Sequence, residues 1–263
     1  MRALIDADIL LYKAGFASQK VVYTIDQEDI QIETDSKRIA NDYSNVKQHF
    51  KVVSRNGAQE IMCKMIDDII EETKASTIEL FITDSKSNFR LDLSDLYKAN
   101  RTESKPFYYD FLREYLIKTF KAVVVRGQEA DDELGIRQTD DTIICSIDKD
   151  LLMIPGKHYN IDNRTIVQVD ELGGFYHFCR QVLTGDSVDN IRGLDRVGPK
   201  RADNILLDCH DYRSMWETVK KAYEDADRDD LMTVAQLIWI RRKREQHPMD
   251  YIGEVCYADC EIS

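Results

Sequence analysis

The chain has 263 residues, of which 43% are hydrophobic and 32% charged. That is enough apolar material for one large domain or two moderate ones, and too much for a disordered chain. Its 48 acidic against 36 basic residues leave a net charge of −12, which excludes a generic basic nucleic-acid coat while allowing a localised basic track.

Other features place the chain in a compartment. No run approaches the roughly 20 apolar residues of a membrane span. The start, Met1-Arg-Ala-Leu-Ile-Asp6, runs directly into a strand-like segment without a signal-peptide pattern. Cysteines at 63, 145, 179, 209, 256 and 260 form no CxxC pair, which reads as reduced thiols in a cytoplasmic protein, neither a disulfide frame nor a zinc site.

In chain order, continuous apolar runs of strand length occur at 3–5, 78–82, 122–125 and 142–147. Val21 to Ile25 and Ile30 to Ile32 read as a hairpin, with a polar helix expected from Lys37 to His49. Ile61, Met62, Met65, Ile66, Ile69 and Ile70 form a helical stripe, and a second runs through Tyr108, Phe111, Leu112, Tyr115 and Leu116. Buried strands alternating with amphipathic helices predict an α/β unit with a parallel sheet covered on both faces. Beyond Asp170 the apolar residues around 182–183, 205–207, 215–222 and 231–240 read as helices. The expected division is therefore 1–169 and 170–263.

The acidic residues fall in a pattern. Three strand-like runs end in aspartate, at Asp6, Asp84 and Asp148, and a fourth leads to Glu129-Ala-Asp131-Asp132. Ligands of open parallel sheets bind outside the carboxyl ends of the strands, so these acids are expected to converge, with Asp150 joining Asp148. Taken singly, an aspartate after a strand is as readily a helix N-cap or turn residue; the convergence is the signal. Several carboxylates in one cleft repel one another, and divalent cations with oxygen ligands relieve that. An all-oxygen set favours Mg²⁺ or Mn²⁺ over zinc, and a pair of such ions suits phosphodiester hydrolysis.

Basic and glycine-containing segments complete the picture. Asn88-Phe-Arg90 and Tyr97-Lys98-Ala-Asn-Arg101 come after Asp84. If helical, Lys98 and Arg101 project together toward a scissile phosphate, and Arg90 is a candidate DNA contact. Among the aromatics from 107 to 120, Phe107 and Tyr109 are candidates for exposure and the rest for core. In 184–207, Gly193 and Gly198 bracket a turn and Pro199 opens a helix flanked by Lys200 and Arg201. A helix start of this kind offers N–H groups to a phosphate, as in a helix-hairpin-helix that grips the duplex backbone. An ordinary glycine turn between packed helices is the bland alternative. Asp186 and Asp189 lie just upstream. The run 241–244 (Arg-Arg-Lys-Arg) is a solvated helix face or a DNA-backbone contact.

In their order, Asp6, Asp84, Tyr97-Lys-Ala-Asn-Arg101, Glu129-Ala-Asp-Asp132, Ser146-Ile-Asp-Lys-Asp150 and Thr184-Gly-Asp-Ser-Val-Asp-Asn-Ile-Arg-Gly193 closely resemble the 5′ nuclease superfamily. That superfamily contains the 5′–3′ exonuclease domain of bacterial DNA polymerase I, flap endonucleases and bacteriophage 5′–3′ exonucleases. The resemblance covers about 1–16 and 77–207. It implies a PIN-like α/β domain followed by a helical, helix-three-turn-helix DNA-binding domain. By the resemblance Asp6, Asp84, Glu129 and Asp131 are ligands of a first metal ion. Asp148, Asp150 and Asp186 serve a second, with Asp132 and Asp189 nearby. Lys98 and Arg101 are the catalytic cations.

The activity implied is a Mg²⁺-dependent 5′–3′ exonuclease or flap endonuclease, with Mn²⁺ substituting and K⁺ at the hairpin. Its partners would be duplex or 5′-flap DNA and RNA–DNA hybrids, and the chain a monomer without membrane contact. The alternatives are a PIN-type ribonuclease, against which the 184–202 hairpin argues, and a catalytically silent DNA-junction-binding protein, against which the carboxylate set argues. Two departures from the family stand out: the short segment between Arg101 and Glu129, and the residues 17–56.

Overall fold

A computed structural model describes residues 1–27, 30–101 and 104–257; Cys260 lies outside them. The central sheet has the order β6-β5-β1-β7-β8-β9. It is built from β1 (Arg2–Asp6), β5 (Thr77–Asn88), β6 (Val123–Gly127), β7 (Thr142–Ser146), β8 (Gly156–Asn160) and β9 (Thr165–Val169). All neighbours are parallel except β8 and β9. The four apolar runs are thus strands, and β1 and β7 are buried almost throughout, as a parallel sheet covered on both faces requires. β8 and β9 escaped the sequence reading because β9 is mostly exposed and β8 is polar at Lys157 and His158.

One face of the sheet is covered by α1 (Ala7–Ala17), α3 (Arg55–Thr73) and α5 (Tyr109–Thr119), whose Leu10, Leu11, Met62, Ile66, Ile69, Leu112 and Leu116 join Ile5, Ile82 and Ile143 in one apolar cluster. The other face carries α6 (Ala130–Arg137) and the C-terminal helices α7 (Glu171–Thr184), α8 (Pro199–Ile205), α9 (Tyr212–Asp225), α10 (Leu231–Ile238) and α11 (Pro248–Tyr257). Here a single cluster runs without interruption from Leu4, Phe81 and Ile144 to Phe178, Trp216, Trp239 and Ile252. The apolar core therefore continues across position 170.

Residues 17–56 form a small antiparallel sheet of order β3-β2-β4, from β2 (Gln19–Gln27), β3 (Ile30–Thr34) and β4 (Val46–Val52). The expected hairpin is present, but the polar helix is one turn only, α2 (Lys37–Ala40), followed by turns to residue 45 and then β4. The reason lies in pairing. Lys47 of β4 forms an ion pair with Asp26 on the neighbouring β2, and Lys51 reaches across β2 to Glu33 on β3, so a wet, charged sheet face looks helical in sequence. Phe107 is 63% exposed while Tyr109 is buried against Tyr12.

The 184–198 segment is a tight hairpin of β10 (Gly185–Asp186) and β11 (Ile191–Arg192) leading into α8. Gly185 has φ +67°, and a Cβ on Gly193 would lie 2.2 Å from the Thr184 carbonyl carbon and 2.3 Å from the Gly185 nitrogen. Gly193 is needed for that backbone crossing. Gly198 caps α8 with φ −91°, and a Cβ there would meet nothing within 4 Å. Thermal or urea denaturation should accordingly show Gly193→Ala losing about 3 kcal/mol. Gly198→Ala should lose about 1 kcal/mol or less.

Candidate active site

Each carboxylate is set by the element that carries it. Asp6 ends β1 and caps α1, Oδ1 accepting the amides of Asp8 (3.1 Å) and Ile9 (3.4 Å). Its Oδ2 accepts the Ser146 hydroxyl of β7 at 2.9 Å. Glu129 is the N-cap of α6, and Asp131 and Asp132 sit in its first turn, where the helix dipole favours negative charge. Asp148 comes just after β7, and its Oδ1 accepts the Asp150 amide at 2.9 Å, tying the pair together. Asp186 closes the turn after β10 through the Val188 amide, 2.8 Å.

These elements enclose a cleft of about 480 Å³ lined by Glu129, Asp131, Asp148, Asp150, Asp186 and Asp189, with Tyr97, Lys98 and Arg101 on one wall and Gly198 and Pro199 at one end. The structure thus brings together most of the expected acids, and does so from the strand ends and the 185–189 turn. Asp6 is not in the lining but lies close enough to raise the Asp131 pKa and to have its own raised by Asp148.

The cations reach the cleft differently from the expectation. Residues 94–100 are a series of turns, not a helix, and Lys98 has φ +57°. The segment is docked on the β10–β11 turn by Lys98 N–H to the Asp189 carbonyl (2.9 Å), Asn100 to the Ser187 carbonyl (2.9 Å) and Asn190 to the Leu96 carbonyl (2.8 Å). Lys98 Nζ bridges Glu129 and Asp189, and Arg101 pairs with Asp189. The Tyr97 hydroxyl sits 3.0 Å from both Glu129 Oε2 and Asp189 Oδ2.

Crowding and burial raise the carboxyl pKa values. Burial, then the Asp8 carboxylate, pushes Asp6 up to about 7 despite the Ser146 and Ile9 donors. Burial and Asp148 push Asp150 to about 7, with Asp186 adding to the rise and Gln181 opposing it. Asp131 is held well above the carboxylate range by burial and by Asp6, Asp148 and Glu129. Asp148 is raised by burial and by Asp186 and Asp189. This is the signature of oxygen donors that need a cation to ionise together, and the residues fit a hard divalent ion chemically. Among the described residues, no three acidic, histidine or cysteine side chains are already gathered at metal-ligand distances; Glu129 and Asp189 are instead turned onto Lys98 and Tyr97.

Two expected site residues lie outside the cleft lining, and a third, Arg90, lines the cleft with its donors already committed. Asp84 is absent from the cleft lining, and its Oδ2 faces Arg126 Nε at 3.6 Å. Asp132 has no oxygen to spare for an ion: Arg90 binds both, at 2.7 and 3.0 Å, and the amides of Glu129 and Arg241 add one each at 3.0 Å. With burial opposing, Arg90 still holds Asp132 below the usual carboxylate range. Arg90 itself is 2% exposed and committed to Asp132 and the carbonyls of Leu237 and Trp239, so it cannot reach a phosphate.

The basic run 241–244 is paired within the chain, although Lys243 and Arg244 remain exposed. Arg241 reaches Gln128, Arg242 reaches Glu171, Lys243 reaches Glu254 and Arg244 reaches Glu133. Lys200 and Arg201 are exposed on the first turn of α8, just past the end of the cleft.

Asp8, Tyr97 and Gln181 were not foreseen. Asp8 accepts the Thr83 amide at 2.9 Å, and burial and Glu129 raise its pKa. A signal was available: Asp6-Ala-Asp8 repeats the acid-x-acid spacing of Glu129-Ala-Asp131 and Asp148-Lys-Asp150.

No protein-family model matches the chain. Among curated proteins, the 5′–3′ exonuclease of Buchnera aphidicola subsp. Schizaphis graminum is 28% identical over 190 residues, 63% of this chain and 65% of that protein. The 5′–3′ exonuclease of Mycoplasmopsis pulmonis is 24% identical over 197 residues, 68% of this chain and 64% of that one. DNA polymerase I of Rhizobium leguminosarum is 28% identical over 203 residues, 67% of this chain and 20% of the polymerase. The chain is thus similar in sequence to 5′–3′ exonucleases and to part of DNA polymerase I, in line with the resemblance to the 5′ nuclease superfamily. It spans about two thirds of the length of its exonuclease relatives and a fifth of the polymerase.

Solved structures agree on the fold. The T5 5′-exonuclease with divalent metal ions (zinc) bound matches 90% of this chain and 89% of its own, with a TM-score of 0.56 at 18% identity. The bacteriophage T5 flap endonuclease, in a pseudo-enzyme–product complex with DNA and metal ions, matches 96% of both chains with a TM-score of 0.54 at 17% identity. The architecture is thus the PIN-like one that the superfamily resemblance implied.

The raised carboxyls have a consequence for stability. A carboxyl whose pKa is raised on folding, from 3.8 to about 7 for Asp6 and Asp150, holds its proton more tightly when folded. The unfolded chain then carries fewer protons between those values, so stability falls as pH rises through that window and levels off above it. In EDTA, Tm should therefore drop between about pH 5 and about pH 7. Saturating Mg²⁺ should raise Tm more at about pH 7.5 than at about pH 5, because it binds the ionised carboxylates. Scanning calorimetry that finds equal increments at both values would contradict this account of the cleft.

Proposed function

We propose that the cleft is the active centre of a divalent-metal-dependent 5′ nuclease that hydrolyses phosphodiester bonds in duplex or branched DNA from the 5′ side. The observation that carries this reading is the meeting, in one cleft, of carboxylates from the end of β7, the start of α6 and the 185–189 turn, with Lys98 and Arg101 beside them and Asp6 at the end of β1 coupled to Asp131. Sequence similarity to 5′–3′ exonucleases and the DNA and metal ions in a structural neighbour support it.

In this reading Asp6, Glu129 and Asp131 hold one ion, and Asp148, Asp150 and Asp186 a second. Asp8 lies against the first group. The all-oxygen set favours Mg²⁺ or Mn²⁺. Bound ions supply Lewis acidity that activates water and offsets charge on the phosphate. The remaining work belongs to the chain. Lys98 and Arg101 leave their carboxylate partners to make charge-assisted contacts with the scissile phosphate, contacts that strengthen as charge develops. Tyr97 orients Glu129 and Asp189 through its single hydroxyl. Residues from 170 onward carry the duplex, with Lys200, Arg201 and the Gly198 end of α8 against its backbone.

The test is a cleavage assay with 5′- and 3′-labelled blunt duplex, 5′ flap and RNA–DNA hybrid, in Mg²⁺ and in EDTA. Metal-dependent loss from the 5′ side is expected, and Asp148→Ala should abolish it while leaving DNA affinity within about threefold, since binding draws mainly on phosphate contacts. Binding without cutting under Mg²⁺ or Mn²⁺ would identify a silent junction-binding protein instead, and near-normal cutting by Asp148→Ala would show the ion sites to be misassigned.

A further inference from the structure

The cleft depends on a part of the chain that supplies it no carboxylate. α4 (Phe89–Leu93) comes directly after β5, and its second residue, Arg90, lies at the junction of three segments. Its Nη1 and Nη2 grip Asp132 in the first turn of α6. Its Nε donates to the Leu237 carbonyl at 2.9 Å, and Nη2 to the Trp239 carbonyl at 2.6 Å. Those carbonyls belong to the last turn and C-cap of α10, where backbone acceptors lack helical partners and the dipole is negative. A guanidinium is the side chain that can meet two such carbonyls and a carboxylate in one plane.

The same junction is tied to Glu129 on the cleft side. Asn88 accepts the Arg90 amide at 3.1 Å and donates from Nδ2 to Glu129 Oε1 at 3.0 Å. Glu129 Oε2 is 3.9 Å from Arg90 Nη1. Asp132 accepts the Glu129 amide, which orients the residue that opens α6, and accepts the Arg241 amide from the segment after α10. Arg241 closes the arrangement by stacking over Phe89 at 3.9 Å and donating to Gln128. Residues 128–132 are thus clamped from behind by 237–241, which also present Leu237, Ile238 and Ile240 to the cleft.

We propose that Arg90 is a positioning residue: by locking α10 and the 239–241 segment to Asp132, it fixes the backbone of the first turn of α6, from which Glu129 and Asp131 reach a divalent ion. The proposal rests on the nuclease reading of the cleft and adds to it that ion affinity is set from the C-terminal part of the chain. Outer partners of ligating residues commonly govern affinity by 10- to 100-fold when removed.

The experiment measures Mn²⁺ binding to the full chain by electron paramagnetic resonance, so that no turnover is needed. Two variants are compared with the parent at a temperature where thermal melts show all of them folded. Arg90→Lys keeps the charge but cannot span Asp132 and both carbonyls. The double variant Arg90→Met with Asp132→Asn removes the pair together, so that no unpaired charge is left buried; such replacements are often tolerated. Both should bind Mn²⁺ about 10-fold or more weakly, and both should keep the parent's affinity for a duplex oligonucleotide in EDTA. A purely structural brace would lower the melting temperature of folded protein without changing Mn²⁺ affinity. Affinity within about twofold of the parent in either folded variant overturns the proposal. A parent that takes up no Mn²⁺ overturns the nuclease reading, and this inference with it.

Discussion

Carboxylates held close together at the buried edge of a sheet are the constraint on which the molecule depends. Asp131 is raised well above its ordinary range by burial and three acidic neighbours, and Asp6 and Asp150 are pushed to about 7. Such a group is costly unless protonated or neutralised. The fold meets that cost locally: Ser146 and two amides of α1 at Asp6, the α6 N-terminus at Glu129 and Asp131, and Lys98 and Arg101 at Glu129 and Asp189. Residues that read as DNA contacts on charge alone are partly drawn into this work, Arg90 completely so.

The sheet and the helical segment are joined through the same region. The apolar cluster behind the cleft runs from Leu4 and Ile144 into α7, α9 and α10, and the 94–101 turns are pinned to the β10–β11 turn by three hydrogen bonds. A ligand in the cleft therefore touches both parts of the chain at once. That is the geometry a nuclease needs if the segment that holds a duplex is also to fix where it is cut, since small misplacements of reacting groups are expensive in rate.

The sequence revealed the strands that end in Asp6 and Asp148, because a parallel sheet buried on both faces leaves uninterrupted apolar runs and places the residues after each strand at one edge. It also revealed Lys98, Arg101 and the 184–198 turn. The features that escaped it depend on side-chain direction and pairing. Asp84 ends an apolar run as Asp6 does, but β5 is irregular between Thr83 and Asn88 and the carboxylate faces Arg126. Asp132 and Arg90 look like a ligand and a phosphate contact until each is seen to consume the other. β4 looks helical in sequence because its lysines answer acids on β2 and β3 that only the fold brings near. Asp8 was passed over although its spacing from Asp6 repeats that of the two other acid pairs.

The central claim is that these carboxylates hold divalent ions, and anomalous diffraction from crystals grown with Mn²⁺ tests it most directly. Two peaks are expected in the cleft, about 3.5–4 Å apart, one against Glu129 and Asp131 and the other among Asp148, Asp150 and Asp186. A cleft without a peak at saturating Mn²⁺, with Lys98 still seated between Glu129 and Asp189, would contradict it.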